Sequence, residues 1–219
     1  MFTGIVQGLV AVVAVEEDEN LSRIELKMDD LASNIELGAS VAVNGTCLTV
    51  TQVSDNGAVC FDIIKETLNT TNLGILQAGA QVNVERSFKV GDEVGGHIVS
   101  GHVTATATLS NLRSEGHDRV LTFKLTDEWL RFVLHKGYIG VDGASITVSS
   151  VDREAGTFSI SLIPETIERT TLGQLAIGDK VNVEVDSQTQ TIVETIERVM
   201  QDPEMRNVML QQANFGASN

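Results

Sequence analysis

Internal duplication constrains this chain more than any other feature. Residues 59–85, VCFDIIKETLNTTNLGILQAGAQVNVE, align with residues 158–184, FSISLIPETIERTTLGQLAIGDKVNVE, at an offset of 99 with 12 identities in 27 positions. The identities include Glu66/Glu165, Thr67/Thr166, Gly74/Gly173 and the run Val82, Asn83, Val84, Glu85. An earlier block, VAVNGTCLTVTQV (41–53), repeats as IGVDGASITVSSV (139–151) at offset 98 with 5 identities in 13. Before both, TGIV (3–6) matches SGHV (100–103) at offset 97. Three blocks kept in order, with offsets drifting by one residue, imply two duplicated domains with single-residue loop insertions. Units of about a hundred residues suit small domains and are too long and too few for a solenoid. The joint is expected in FKVGDEVGGH (88–97), where glycines and charges interrupt the apolar pattern.

Within each copy the period is that of strands. Ile24, Leu26 and Met28 alternate with Arg23, Glu25 and Lys27, and Leu121, Phe123 and Leu125 alternate with Val120, Thr122 and Lys124. Asn44-Gly45 and Asp142-Gly143 lie between valine- and isoleucine-rich runs, the dipeptides of a type I′ hairpin. Asp55-Asn56-Gly57 and Glu154-Ala155-Gly156 signal further turns. Many short strands with frequent turns predict a small barrel or sandwich in each half. The N-terminal run MFTGIVQGLVAVVAV is expected to hold the first strand, with Thr3 to Val6 in it. Short helices are expected after Glu66 and Glu165, ended by Gly74 and Gly173. The tail differs: Ile192, Val193, Ile196, Val199 and Met200 form the stripe of an amphipathic helix starting near residue 190. That helix packs on its own domain or, since Ile192, Ile196 and Val199 make a narrow seam, forms an oligomer contact. The residues after Asp202 are expected to be frayed and polar.

With 219 residues, 42% of them hydrophobic and 21% charged, the chain reads as globular and large enough to bury a core without staples. Two cysteines, Cys47 and Cys60, fit a reducing cytosol, and a cytoplasmic location is expected. No apolar run reaches the ~20 residues of a membrane span, and the N-terminus lacks the cationic start of a secretion signal. A net charge of −15 and few aromatic residues argue against nucleic-acid partners.

No dinucleotide or P-loop spacing occurs among Gly91, Gly95, Gly96 and Gly101. His97 and His102, five apart, would point to opposite faces of a strand, and neither cysteine has a partner at ligand spacing. No metal and no cofactor are therefore expected. The two copies differ instead in polar chemistry: Cys47 corresponds to Ser145, Ile5 to His102, Lys65 to Pro164 and Ser87 to Asp186, while Thr49 and Thr147 are kept. Each has a structural alternative. A strand cysteine is commonly a small core residue, as expected for Cys60, serine and threonine are ordinary strand and turn residues, and His102 could be a satisfied buried imidazole. His117 and His135 are expected at the surface.

Seven motifs in register, MFTGIVQG, NGTCLTV, FDIIKETL, ERSFKVGDEVGGHIVSGHV, KGYIGVDGASITV, LIPETIERTTLG and VDSQTQTIVETIERV, make residues 1 to about 200 resemble the riboflavin synthases of the α-chain type. The resemblance implies an all-β fold of two homologous six-stranded Greek-key barrels in tandem plus a C-terminal α-helix. The expected division is 1–97 for the first barrel, 98–194 for the second (the barrel itself to about 187), and 195–219 for the end of the helix and the tail. It further implies a homotrimer assembled through that helix. Its reaction would be a dismutation of two 6,7-dimethyl-8-ribityllumazine molecules to riboflavin and 5-amino-6-ribitylaminouracil. Each barrel would bind one lumazine, the active site forming between the first barrel of one subunit and the second barrel of its neighbour.

The contact segments implied for the first barrel are Gly4, Ile5 and Val6, then Cys47, Leu48 and Thr49, then Asp62, Ile63, Ile64, Lys65, Glu66 and Thr67. For the second barrel they are Gly101, His102 and Val103, then Lys136, then Ser145, Ile146 and Thr147, and Ser161, Leu162, Ile163, Pro164, Glu165 and Thr166. Cys47 is the candidate nucleophile or proton-transfer group of the first barrel's site. His102 is the candidate base or acid of the second barrel's site. Ser145 and Thr147 would hydrogen-bond substrate or a water there, Lys136 would bind the ring carbonyls or stabilise developing negative charge, and Asp186 would bind the ribityl hydroxyls or orient the base. Two other readings are a non-catalytic lumazine or flavin binder of antenna type, and a duplicated oligonucleotide-binding module, which the acidic charge disfavours.

Overall fold

The computed structural model describes residues 1–18, 21–115, 118–203 and 205–206. Among them, β1 (Gly8–Glu17), β2 (Leu21–Lys27), β3 (Ser40–Val43), β4 (Thr46–Val53), β5 (Ala58–Ile64) and β6 (Gln81–Arg86) close a barrel in the order β1-β2-β5-β4-β3-β6. Strands β7 (Ala105–Glu115), β8 (Asp118–Lys124), β9 (Tyr138–Val141), β10 (Ala144–Asp152), β11 (Thr157–Leu162) and β12 (Lys180–Val185) close a second one with the same Greek-key order. All pairings are antiparallel. The two barrels form one compact unit, Met1–Val185, and a second unit begins at Asp186.

Local chemistry explains the hairpins that open each site. Asn44 and Gly45 have φ of +45° and +78°, and Asp142 and Gly143 have +44° and +82°, so both central residues take the positive φ of a type I′ turn. The turns also meet each other: a Cβ on Gly45 would lie 2.6 Å from the Gly143 amide nitrogen. Alternation then fills each interior. Val10, Ile24, Leu26, Val50, Phe61 and Val84 pack in the first barrel, and Phe123 and Phe158, register partners, stack at 5.4 Å in the second. Each such side chain contributes about 1.5–3 kcal/mol by leaving water.

Three expectations are corrected. The first strand begins only at Gly8; Thr3 to Val6 lie outside it, and Phe2 bridges Val99 instead. Helices α1 (Lys65–Thr70) and α3 (Pro164–Arg169), with the short α2 (Asp127–Leu130) between them, include the repeated helices, but glycine does not end them. Thr71 and Thr170 do, each hydroxyl donating at 2.6 Å to a carbonyl one turn back, Thr67 and Thr166. Gly74 and Gly173 sit in the following 3-10 turns, where a Cβ would come within 2.3 and 2.1 Å of the Leu68 and Ile167 carbonyl oxygens. They are glycines because the backbone passes too close to the helix for any side chain. Finally, His97 and His102 lie in no strand, so strand alternation does not govern them.

The second unit contains α4 (Ser187–Gln201), which starts three residues before the expected position near 190 and five before its apolar stripe. Asp186 caps it, accepting from the Thr189 amide at 2.9 Å and its hydroxyl at 2.6 Å. Most of the tail beyond Asp202, and His117, lie outside the described residues.

Candidate active site

The repeated segments at residues 3–6 and 100–103 are held by two equivalent carboxylates. Glu85, on β6, accepts from the Thr3 amide (2.6 Å), the Thr3 hydroxyl (2.8 Å) and the Gly4 amide (3.0 Å). Glu184, on β12, accepts from the Ser100 amide and hydroxyl (both 2.7 Å) and the Gly101 amide (3.0 Å). Burial pushes both carboxyls above the ordinary glutamate value, against the pull of those donors.

Each segment then crosses to the other barrel. The Gly4 carbonyl accepts from the Ser145 amide at 2.7 Å, and the Gly101 carbonyl accepts from the Cys47 amide at 2.8 Å. Both glycines are in the left-handed region, at φ +73° and +85°, and neither leaves room for a side chain. A Cβ on Gly4 would sit 2.5 Å from the Ser145 Cβ, and one on Gly101 2.6 Å from the Cys47 Cβ. This corrects the expected grouping: residues 4–6 border the second barrel's Ser145, and residues 101–103, with His102, border the first barrel's Cys47. The expectation carried over from the resemblance placed each segment with the barrel it precedes.

A cleft of about 290 Å³ collects the second barrel's candidates. Gly4, Ile5 and Val6 form one wall, Ser145 and Ile146 another, and Glu165 and Thr166 of α3 a third. Ala144, Arg169 and Thr170 complete it. Arg169 pairs with Glu165 one helical turn away, a spacing visible in PETIER. Ser145 and Thr147 share the strand face opposite the buried Ala144 and Val148. Ser145 Oγ lies 2.6 Å from His97 Nδ1, and the His97 ring stacks on Tyr138 at 5.2 Å. None of Ala144, Arg169, Thr170, His97 and Tyr138 had been singled out as site residues.

Lys136 is exposed at φ +64°, donating its amide to the Val148 carbonyl at 2.9 Å. Its repeat counterpart is Gly38, at φ +82° with the same bond to Val50. A lysine at a glycine's conformation is the kind of backbone strain that collects at functional sites. In the first barrel, Cys47 is half-buried and Thr49 exposed on the same face of β4. Asp62 makes a two-point ion pair with Arg23, at 2.7 and 3.0 Å, which holds its carboxyl below the ordinary aspartate value. Ile64, Lys65 and Glu66 are exposed and Thr67 half-buried at the start of α1; Ser161, Ile163 and Pro164 are exposed beside α3. Leu48, Ile63 and Leu162 turn their side chains into the barrels, so only their backbones can face a ligand. A wider cleft of about 660 Å³ runs past Asn44, Asn72 and Asp142 where the barrels meet, and none of the candidate residues lines it.

Tandem Greek-key barrels, each bonded to the segment that precedes the other, define a lumazine-binding repeat protein, and the family model described as the lumazine binding domain matches residues 3–87 and 100–186. The riboflavin synthase of Escherichia coli (strain K12) is 48% identical over 202 residues, covering 91% of this chain and 93% of that protein. The riboflavin synthase of Mycobacterium tuberculosis (strain ATCC 25618 / H37Rv) is 41% identical over 201 residues, covering 91% and 98%. The chain belongs to the riboflavin synthase family. Among solved structures, LumP complexed with riboflavin superposes with a TM-score of 0.78 at 28% identity, covering 85% of this chain and 100% of that one. LumP complexed with 6,7-dimethyl-8-(1'-D-ribityl) lumazine gives 0.76, also at 28% identity, covering 84% and 99%.

Proposed function

We propose that this family member joins two 6,7-dimethyl-8-ribityllumazine molecules, one on each repeat, and transfers a four-carbon unit between them to give riboflavin and 5-amino-6-ribitylaminouracil. The observation that carries this reading is the pair of matching half-sites with unequal polar groups, Cys47 beside the His102 segment and Ser145 beside the Gly4 segment. A reaction between two identical substrates calls for similar shapes with different chemistry. The atoms of two substrates equal those of the two products, so no oxidant, metal or cofactor enters the balance. One C7 methyl group loses a proton to give a delocalised carbanion, the other ring is made electrophilic, and eliminations from the joined adduct release the products. Alignment of the two rings supplies up to ~7–11 kcal/mol, and a placed acid or base about 10²–10⁴-fold more.

In this reading the first repeat's site uses Cys47, Thr49 and residues 62–67 with His102 at its edge. The second uses Lys136, Ser145, Thr147 and residues 161–166 with residues 4–6. Three chains assemble through α4 in the cytoplasm, so that half-sites of neighbouring subunits face each other. Asp186 uses its carboxylate to start α4; Asp186→Asn, a cap of equal quality, tests whether the charge itself serves catalysis.

Incubating the purified protein with the lumazine and following riboflavin by absorbance is the direct test. Riboflavin and the aminouracil are expected in equal amounts. Lumazine bound but unchanged would overturn the reading and leave an antenna-type binder.

A further inference from the structure

The second site contains a group that the proposed reaction has not yet used. His97 follows two glycines, and the structure shows why they are there. A Cβ on Gly96 would lie 2.6 Å from the Ser145 Cβ, 2.9 Å from its Oγ and 2.4 Å from the Thr3 carbonyl oxygen. A Cβ on Gly95 would touch Ile5 at 3.4 Å. The backbone of residues 95–96 thus packs closely on both Ser145 and residues 3–5. The half-buried imidazole arrives with Nδ1 at 2.6 Å from the hydroxyl and its plane 17° from that of Tyr138. Tyr138 in turn is the cross-strand partner of Thr147, on the cleft-facing side of β10. Stacking fixes the ring's plane; the hydrogen bond fixes the hydroxyl's direction.

A serine hydroxyl has one proton to donate and two lone pairs. The Ser145 amide is already committed to the Gly4 carbonyl, so the hydroxyl is the polar group this residue offers the cleft. If its proton points to Nδ1, the oxygen faces the cleft as an acceptor. If Nδ1 carries the proton, the hydroxyl is free to donate to a bound ring. The imidazole therefore selects which role Ser145 plays.

Resting on the proposed reaction, we propose that His97 is a positioning residue of the second repeat's site, which orients and polarises the Ser145 hydroxyl toward the bound lumazine while Tyr138 holds its ring in plane. It acts through Ser145 and not by touching substrate, in the manner of a base that orients a neighbouring hydroxyl.

Two substitutions separate the bond to Ser145 from the stack on Tyr138. His97→Phe keeps the stack on Tyr138 and loses the bond to Ser145; His97→Asn places a polar atom near the Nδ1 position and loses the stack. With parent, both variants, Ser145→Ala and the double variant H97F/S145A, steady-state turnover and lumazine binding by fluorescence titration are measured. His97→Phe is expected to lower kcat at least tenfold with KM and lumazine Kd within twofold of the parent, and His97→Asn to recover most of the loss. In the S145A background, His97→Phe is expected to change kcat less than twofold, because the two act as a unit. Equal losses with and without Ser145, or a fall in binding that matches the fall in kcat, overturn the assignment. A His97→Asn no better than His97→Phe overturns it as well, and covers the case in which the Phe variant loses its fold. An inactive parent overturns the dismutase reading and this inference together, whereas an active parent matched by His97→Phe overturns this inference alone.

Discussion

Lys136 and Gly38 occupy the same place in the two repeats, and both backbones are left-handed there. A glycine adopts that conformation freely, whereas a lysine is held there against a cost of order ~1–2 kcal/mol. Lys136→Gly is expected to raise the unfolding free energy by about 1 kcal/mol in urea titration and to lower turnover more than tenfold. Lys136→Met, which keeps the strain and loses the charge, is expected to match the loss of turnover without the gain in stability. Replacing Cys47 by Ser and His102 by Gln together is expected to lower the single-turnover rate far more than lumazine affinity; a rate equal to the parent's would exclude both from the chemistry. Cys47, Ser145, Thr49 and Thr147 were legible because duplication lines them up in register. His97 was not, because its partner lies 48 residues away and only the packing of Gly96 on Ser145 brings them together.

At the scale of elements, the informative pieces are the two non-strand segments and the helix. Each segment is pinned by three donors to one buried carboxylate, and each accepts a backbone hydrogen bond from a strand of the other barrel. Glu85→Gln replaces one acceptor oxygen by an N–H that faces the donors of Thr3 and Gly4. The mismatch leaves buried donors unsatisfied, worth about 1–3 kcal/mol. The expected outcome is a higher KM for lumazine with a smaller fall in kcat, read from substrate titrations. For α4, Ile192 and Ile196 are 59% and 58% exposed. If the proposed trimer assembles through this helix, Ile196→Glu is expected to sediment as a monomer where the parent sediments as a trimer, with the barrels' thermal transition little changed. The strands were readable from alternation and the hairpins from Asn44-Gly45 and Asp142-Gly143. The crossing of residues 3–6 was not, since a tetrapeptide matched to its repeat says where its counterpart is and nothing about which barrel it meets.

At the scale of the whole molecule, the two barrels meet across a buried polar network with near two-fold symmetry. The Asn83 side-chain amide donates to the Asp142 carbonyl, and that of Asn182 to the Asn44 carbonyl, each at 2.8 Å. Asn44 accepts from the Asn83 amide at 2.8 Å, and Asp142 from the Asn182 amide at 2.7 Å. The one ionisable member, Asp142, is 2% exposed. Burial lifts its carboxyl from 3.8 to about 7, against the amide of Asn182 and the side chains of Asn72 and Thr171. A raised carboxyl value means that the folded state holds a proton the unfolded state has released. Stability from this group is full below pH 4, declines as pH rises, and is gone above about pH 7. The interval corresponds to an amount on the order of 4 kcal/mol. Asp142→Asn, which makes both hairpins Asn-Gly, is expected to flatten the decline between pH 4 and 7 in denaturant titrations and to leave the variant more stable than the parent at pH 8. A parent whose stability does not fall over that window would show that the network carries Asp142 ionised.

What the sequence determined alone was the duplication, the all-β character of each half, the hairpin turns, the amphipathic helix and the residues at which the two copies diverge. These depend on period, on φ preferences and on register, which are properties of neighbouring residues. The tertiary structure decided which segment borders which site, why Gly74, Gly96 and Gly173 admit no side chain, and that His97 stands over Ser145. Each of these follows from close approach between chain segments far apart in sequence, and steric exclusion at such distances leaves no periodic trace along the chain.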